Sequence, residues 1–215
     1  MTFAGGEKEG LEGFIDRVAS SSPAPGGGSV SAACGALAGA LSSMVCRLTI
    51  GRKKFKEVED ELKGVLEKAE EIKKQMEEFI VKDAESFDRV MDAMKLPKYT
   101  DEEKEKRNLV VQEATKGAIT VPLQVMEKGL LAIKLSQIVV EKGNPNMLSD
   151  AGVSALTAKT AVDGAYYNVR INLNSIEDQD FVTSTKEKAD ALKGEAMLLS
   201  QEIERKVEEK LTQTQ

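Results

Sequence analysis

The sequence predicts an all-α protein, a multihelical up-and-down bundle with two buried central helices. Three observations carry this. Six segments place apolar residues at helical spacing, and none alternates in the manner of a strand. The breaks between them are short and built from Pro, Gly and Asn, as helix–helix turns are. The chain of 215 residues is 41% hydrophobic and 31% charged, which is enough apolar material for one core without disulfides. No fixed internal period is present, and residues 1–215 read as a single helical domain.

The first segment runs from about Leu11 to Ala19 and ends in Ser20-Ser21-Ser22-Pro23-Ala24-Pro25-Gly26-Gly27-Gly28. The second is expected to start at Ser29, a good N-cap, and to reach about Ile50. From Ser29 to Cys46 it carries no charge, and it is rich in Ala and Gly. Such a run is long enough to raise a membrane span. Its serines (Ser29, Ser31, Ser42, Ser43) and the closing Arg47 favour instead a helix buried on all sides, with Gly35 and Gly39 admitting close neighbours. The third segment, about Phe55 to Met94, repeats apolar residues at Val58, Leu62, Val65, Ala69, Ile72, Met76, Phe87, Val90 and Met94. The fourth, about Asp101 to Lys142, contains Pro122, which is expected to kink or split it. The fifth runs from Ser149 to about Asn174 and is again rich in small residues. The sixth, about Asp180 to Thr212, is charged and amphipathic. Segments two and five are the expected central pair.

Composition excludes several chemistries. There is no histidine, so Ser-His-Asp and Cys-His nucleophile systems are ruled out, as is any histidine-ligated metal. The two cysteines, Cys34 and Cys46, are too few for an all-cysteine zinc site. On one helix they would stand roughly 18 Å apart along the axis, as separate buried thiols in a reducing compartment. A net charge of -6 argues against a nucleic-acid partner. No basic stretch precedes a short apolar run at the N-terminus, so no signal peptide is expected and the protein is read as cytoplasmic. The abundance of Lys and Glu is of the kind found in thermophilic proteins.

Four features break the helical pattern. Asp83 falls on the apolar stripe of the third segment, where a carboxylate must be paired, protonated or tuned for acid/base work. Asn168 and Asn172, four apart on one helix face of small residues, suit either an interhelical hydrogen bond or a flat polar ligand. Pro25-Gly26-Gly27-Gly28-Ser29 lets backbone approach a ligand, or is a structural turn. No Gly-Lys-Ser/Thr follows it and no strand precedes it, so it is neither a Walker loop nor a dinucleotide fingerprint. Finally Arg47, Arg52, Lys53, Lys54 and Lys56 form a local cationic cluster, either a solvated helix end or an anion site.

These features resemble a known family. Ser22-Pro23-Ala24-Pro25-Gly26-Gly27-Gly28-Ser29-Val30-Ser31-Ala32, running into Met44 and Gly51-Arg52-Lys53-Lys54-Phe55, is similar to the formiminotetrahydrofolate cyclodeaminases, a family that also holds methenyltetrahydrofolate cyclohydrolases. The resemblance continues, in the family's order, through Asp83-Ala84 with Phe87, Leu96-Pro97-Lys98, Val121-Pro122-Leu123, Gly143-Asn144, Ser149-Asp150-Ala151-Gly152-Val153 and Asn168-Val169-Arg170-Ile171-Asn172-Leu173.

The resemblance implies a helical bundle, usually a homodimer, acting on a tetrahydrofolate derivative with no metal and no cofactor beyond the folate. The first expected reaction is conversion of 5-formiminotetrahydrofolate to 5,10-methenyltetrahydrofolate with loss of ammonia. The alternatives are cyclohydrolase opening of the methenyl ring and a non-catalytic folate-binding or interaction module. At the matching positions Asp83 is the expected acid/base, with Asp150 as the alternative or as partner of the cationic centre. Asn144, Asn168 and Asn172 would bind the pterin edge. Pro25, Gly26, Gly27, Gly28 and Ser29 would shape the pocket, and Arg52, Lys53 and Lys54 would hold the glutamate tail.

Overall fold

The computed structural model describes residues 10–213. The expectation that the chain opens without a signal peptide concerns residues 1–9, which lie outside the described residues. Six α-helices follow in order: α1 Leu11–Val18, α2 Gly27–Arg47, α3 Glu59–Met94, α4 Asp101–Lys142, α5 Leu148–Leu173 and α6 Gln179–Gln213. Two 3-10 turns, Lys53–Val58 and Pro145–Met147, lie in the connections. Among the described residues there is no strand, as the pattern predicted.

Helices α2 to α5 pack as a bundle, with α6 laid against α4 and α5. The stripe read from α3 is buried from Leu62 to Met76: Leu62 and Met76 are fully enclosed, with the neighbouring Ile80, together with Ile119, Met126 and Ile133 of α4 and Val162 and Val169 of α5. The small residues of α2 set its distance from α3. A Cβ on Gly35 would lie 2.5 Å from Met76 Cε, and one on Gly39 would lie 2.9 Å from the Ala69 carbonyl oxygen.

One serine of the uncharged helix, Ser42, belongs to a buried cluster of hydroxyls. Ser154 of α5 donates to the Ala38 carbonyl at 2.8 Å, and its oxygen lies 2.9 Å from both Ser42 and Ser136. Three helices are thereby joined through buried hydroxyls that satisfy one another. By length and composition Gly27–Arg47 could cross a membrane, but 61% of its apolar stretch is buried inside the bundle. The two thiols lie on α2 and are unpaired. Cys46 is buried, which pushes its thiol up to about 11, while Cys34 is only half-buried.

Two expectations are corrected, and one of two alternatives at Pro122 is removed. Helix α2 begins at Gly27, not Ser29: the chain is extended at Gly26, and the two following glycines already belong to the first turn. Glycine's poor helix propensity hid this. The third segment opens as a 3-10 turn, with Phe55 outside helical geometry, and becomes α-helical only at Glu59. There Glu59, Asp60 and Glu61 fill the first turn, where the helix dipole favours acids.

Pro122 does not split α4, which runs unbroken for 42 residues. A proline in mid-helix leaves the carbonyl four residues earlier without its donor. That carbonyl belongs to Ala118, and it accepts Asn172 Nδ2 of α5 at 3.4 Å. The start of α4 is held by a capping box in which Thr100 and Glu103 bond each other's backbone.

Candidate active site

Helix α2 starts without a side-chain cap of its own, because its N-cap residue is Gly26. The missing acceptor comes from α3. Asp83 presents its carboxylate to the first turn of α2, where Ser29 Oγ donates to Oδ2 at 2.9 Å. The backbone N–H of Ser29 bonds the same carboxylate. The approach is close enough to require glycine: a Cβ on Gly28 would stand 2.5 Å from Asp83 Cγ. Burial pushes the Asp83 carboxyl above the usual carboxylate range, and the hydrogen bonds from Ser29 offset part of that rise.

Asp83 opens onto a cavity of about 380 Å³ between the turn before α2, the C-terminal half of α3, the N-terminal half of α4 and the end of α5. That is a size suited to a small organic ligand. Gly26, Gly27 and Gly28 form one wall, with Asn168 and Asn172 beside them. Asp83 is the one ionisable side chain among the lining residues. Asn168 Nδ2 donates to the Gly164 carbonyl at 2.9 Å, and Asn172 is held by Ala118. Each amide is therefore fixed at one end, with capacity left to meet a ligand. Pro25 is buried behind the turn, after a cis peptide bond from Ala24.

The remaining predicted residues lie elsewhere in the chain. Helix α2 is 21 residues long, roughly 31 Å, and Arg52, Lys53 and Lys54 follow its far end. All three are exposed. Asp150 lies in the first turn of α5, eighteen residues or roughly 27 Å of helix away from Asn168. Asn144 is buried and committed to the fold. Its backbone N–H donates to Thr49 Oγ1 at 2.9 Å, its Nδ2 to the Leu48 carbonyl at 3.4 Å, and its Oδ1 accepts from Asn146. Within one chain these five residues do not share the Asp83 cavity.

Other lining residues escaped the sequence reading. Val90 and Met94 were assigned to the core stripe of α3, yet with Met91 they form an apolar cavity wall, and Met94 is 46% exposed. Val111, Thr115 and Ala118 face them from α4. Thr115 was the available signal, a buried hydroxyl at helical spacing within that apolar row. Among the described residues no three of His, Cys, Asp and Glu are grouped to hold a metal ion.

The chain is 45% identical over 203 residues to a methenyltetrahydrofolate cyclohydrolase of Methylorubrum extorquens, covering 94% of this chain and 98% of that one. It is 37% identical over 186 residues to the formimidoyltransferase-cyclodeaminase of Mus musculus, covering 86% of this chain but 34% of that longer protein. The crystal structure of a formiminotetrahydrofolate cyclodeaminase from Thermotoga maritima superposes with a TM-score of 0.84 at 30% identity, covering 94% of this chain and 96% of that chain. The family model described as formiminotransferase-cyclodeaminase matches residues 10–191, a span that includes every residue of the cavity, and the chain belongs to that family.

Proposed function

We propose that the protein is an enzyme acting on the carbon between N5 and N10 of a tetrahydrofolate, and that its principal reaction is hydrolysis of the 5,10-methenyl ring. The observation that carries the chemistry is the half-buried Asp83 carboxyl, the one ionisable group in the cavity, held by Ser29 with its protonation favoured by burial. A carboxyl so placed suits proton transfer to and from a bound substrate. The choice of hydrolysis rests on the 45% identity to the Methylorubrum cyclohydrolase along nearly the full length of both chains. This reverses the order of the two reactions expected from the motifs.

In this scheme Asp83 accepts a proton from the water that attacks the methenyl carbon. A neutral carbinolamine forms. As the carbon–N5 bond breaks, Asp83 gives its proton to N5 and the hydroxyl proton leaves, producing the 10-formyl compound with net release of one proton. Asn168 and Asn172 meet the donors and acceptors of the pterin edge, and the glycine turn lies against its face. The second reading is the cyclodeaminase reaction, favoured by the likeness to the Thermotoga chain, which is matched over 96% of its length. There N10 attacks the formimino carbon, Asp83 takes the N10 proton, and its return to the amino nitrogen lets that group leave as ammonia.

The same reading includes a homodimer. Apolar residues line the outer side of α2 at Cys34, Leu37, Leu41, Met44 and Leu48, and that of α5 at Val153, Leu156, Tyr167 and Ile171. Leu37 is 57% exposed and Ile171 64%. The helices are packed together and antiparallel, since Gly27 meets Asn168 and Ser42 meets Ser154. A second copy across this face, related by a two-fold axis, would carry its Asp150 and Arg52–Lys54 end to the Asp83 end of the first. Those residues could then act at a shared site. Assay of both substrates tests the function: faster decay of the methenyl chromophore supports hydrolysis, and its growth from the formimino compound with equal ammonia supports cyclodeamination. Absence of both changes would reject both readings.

A further inference from the structure

Ser29 Oγ lies 2.9 Å from Asp83 Oδ2 and 3.0 Å from the carbonyl oxygen of Ile80, one turn earlier on α3. A hydroxyl has one hydrogen and cannot donate to both. Ser29 is fully buried, so solvent does not supply a second donor. When Asp83 is ionised, the hydrogen belongs to the carboxylate, where a charge-assisted bond is strongest. When Asp83 carries a proton on Oδ2, that proton points to Ser29 Oγ and the serine hydrogen turns to Ile80. Each protonation state thus has a complete set of bonds, and a single O–H rotation separates them.

We propose that Ser29 is a positioning residue whose hydroxyl hydrogen alternates between the Ile80 carbonyl and the Asp83 carboxylate, keeping Asp83 in one place as it takes up and gives back a proton. This rests on the reading of Asp83 as the acid/base. It differs from the role expected of Ser29 as a contact of the substrate. The arrangement limits reorganisation on the serine side, because exchange of its hydrogen between the two acceptors moves no heavy atom of Ser29. The surrounding walls add no competing charge: the cavity-lining residues of α2, α4 and α5 are not ionisable. On α3 the flanking Lys82 and Glu85 are exposed, and Lys82 is paired with Glu78 at 3.2 Å.

The test uses the full chain with Ser29→Ala and Ser29→Thr, with helix content checked by circular dichroism. Asp83 is titrated by carbon NMR of carboxyl-labelled protein without folate, using Asp83→Asn to assign the signal. Ser29→Ala removes the charge-assisted bond to the anion and is expected to tighten proton binding roughly tenfold, with Ser29→Thr close to wild type. The ionising limb of the pH–rate profile for methenyl decay moves upward in parallel. An unchanged Asp83 titration in Ser29→Ala overturns the proposal. If the titration moves but wild-type protein does not hydrolyse the methenyl compound, the hydrogen-bond exchange stands and the functional reading fails.

Discussion

Gly28 and Asp83 are in contact across two helices, and a Cβ at position 28 would stand 2.5 Å from the Asp83 carboxyl carbon. Gly28→Ala therefore has to push the carboxylate off Ser29 or tilt the start of α2. A displacement of about 1 Å at such a group is enough to cost on the order of a hundredfold in rate. The expected result is a loss of that size in kcat with helix content retained. Steady-state assay of methenyl decay beside circular dichroism checks it.

Asp83 also couples the site to stability. Its carboxyl is raised in the folded protein, first by burial, so the folded state binds its proton more tightly than the unfolded chain does. The stability this contributes is complete below the unfolded value of about 3.9 and is lost as pH rises through the folded value. Asp83→Asn removes that loss. The variant should gain stability relative to wild type at about pH 7 compared with about pH 3, as read by urea unfolding at both.

Pro122 and Asn172 form a second pair. The proline leaves the Ala118 carbonyl free, and Asn172 takes it at 3.4 Å. Pro122→Ala restores a backbone N–H that competes for Ala118 and releases the amide. The expected outcome is a rise in KM of several fold with kcat little changed. It is accompanied by a higher Tm, since a mid-helix proline costs up to about 3 kcal/mol. A lower Tm with unaltered KM would show that the proline serves packing alone.

The outer apolar stripes of α2 and α5 make a fourth prediction. Leu156→Glu places a charge on a side chain that is 48% exposed in the single chain. In the homodimer it would be desolvated without a partner, at a cost of several kcal/mol. Light scattering should show a dimer for wild type and a monomer for the variant, with activity falling in step. A wild-type monomer with full activity would remove the partner's Asp150 and Arg52–Lys54 from the site.

The sequence revealed the helices well, because α3 and α4 carry apolar stripes whose spacing leaves no alternative period. It revealed Asp83, Asn168 and Asn172 because each is a polar group on an apolar or small-residue face. The start of α2 was hidden because its cap is a side chain 54 residues away, and local propensity is blind to that. Val90 and Met94 looked like core because an apolar cavity wall and a core stripe have the same composition. Asn144 lies outside the Asp83 cavity, and its residue type did not show this: a buried amide that caps a turn and one that binds a ligand are the same residue type. Only its bonds to Thr49, Leu48 and Asn146 distinguish them.

The most direct measurement is the decay of 5,10-methenyltetrahydrofolate, followed at its near-ultraviolet band, with wild type and Asp83→Asn in parallel. The account predicts decay well above the buffer rate for wild type and a loss on the order of a hundredfold or more for the variant, with both proteins folded. Equal rates for the two proteins would contradict the assignment of Asp83, and a wild-type rate equal to buffer would contradict the hydrolytic function itself.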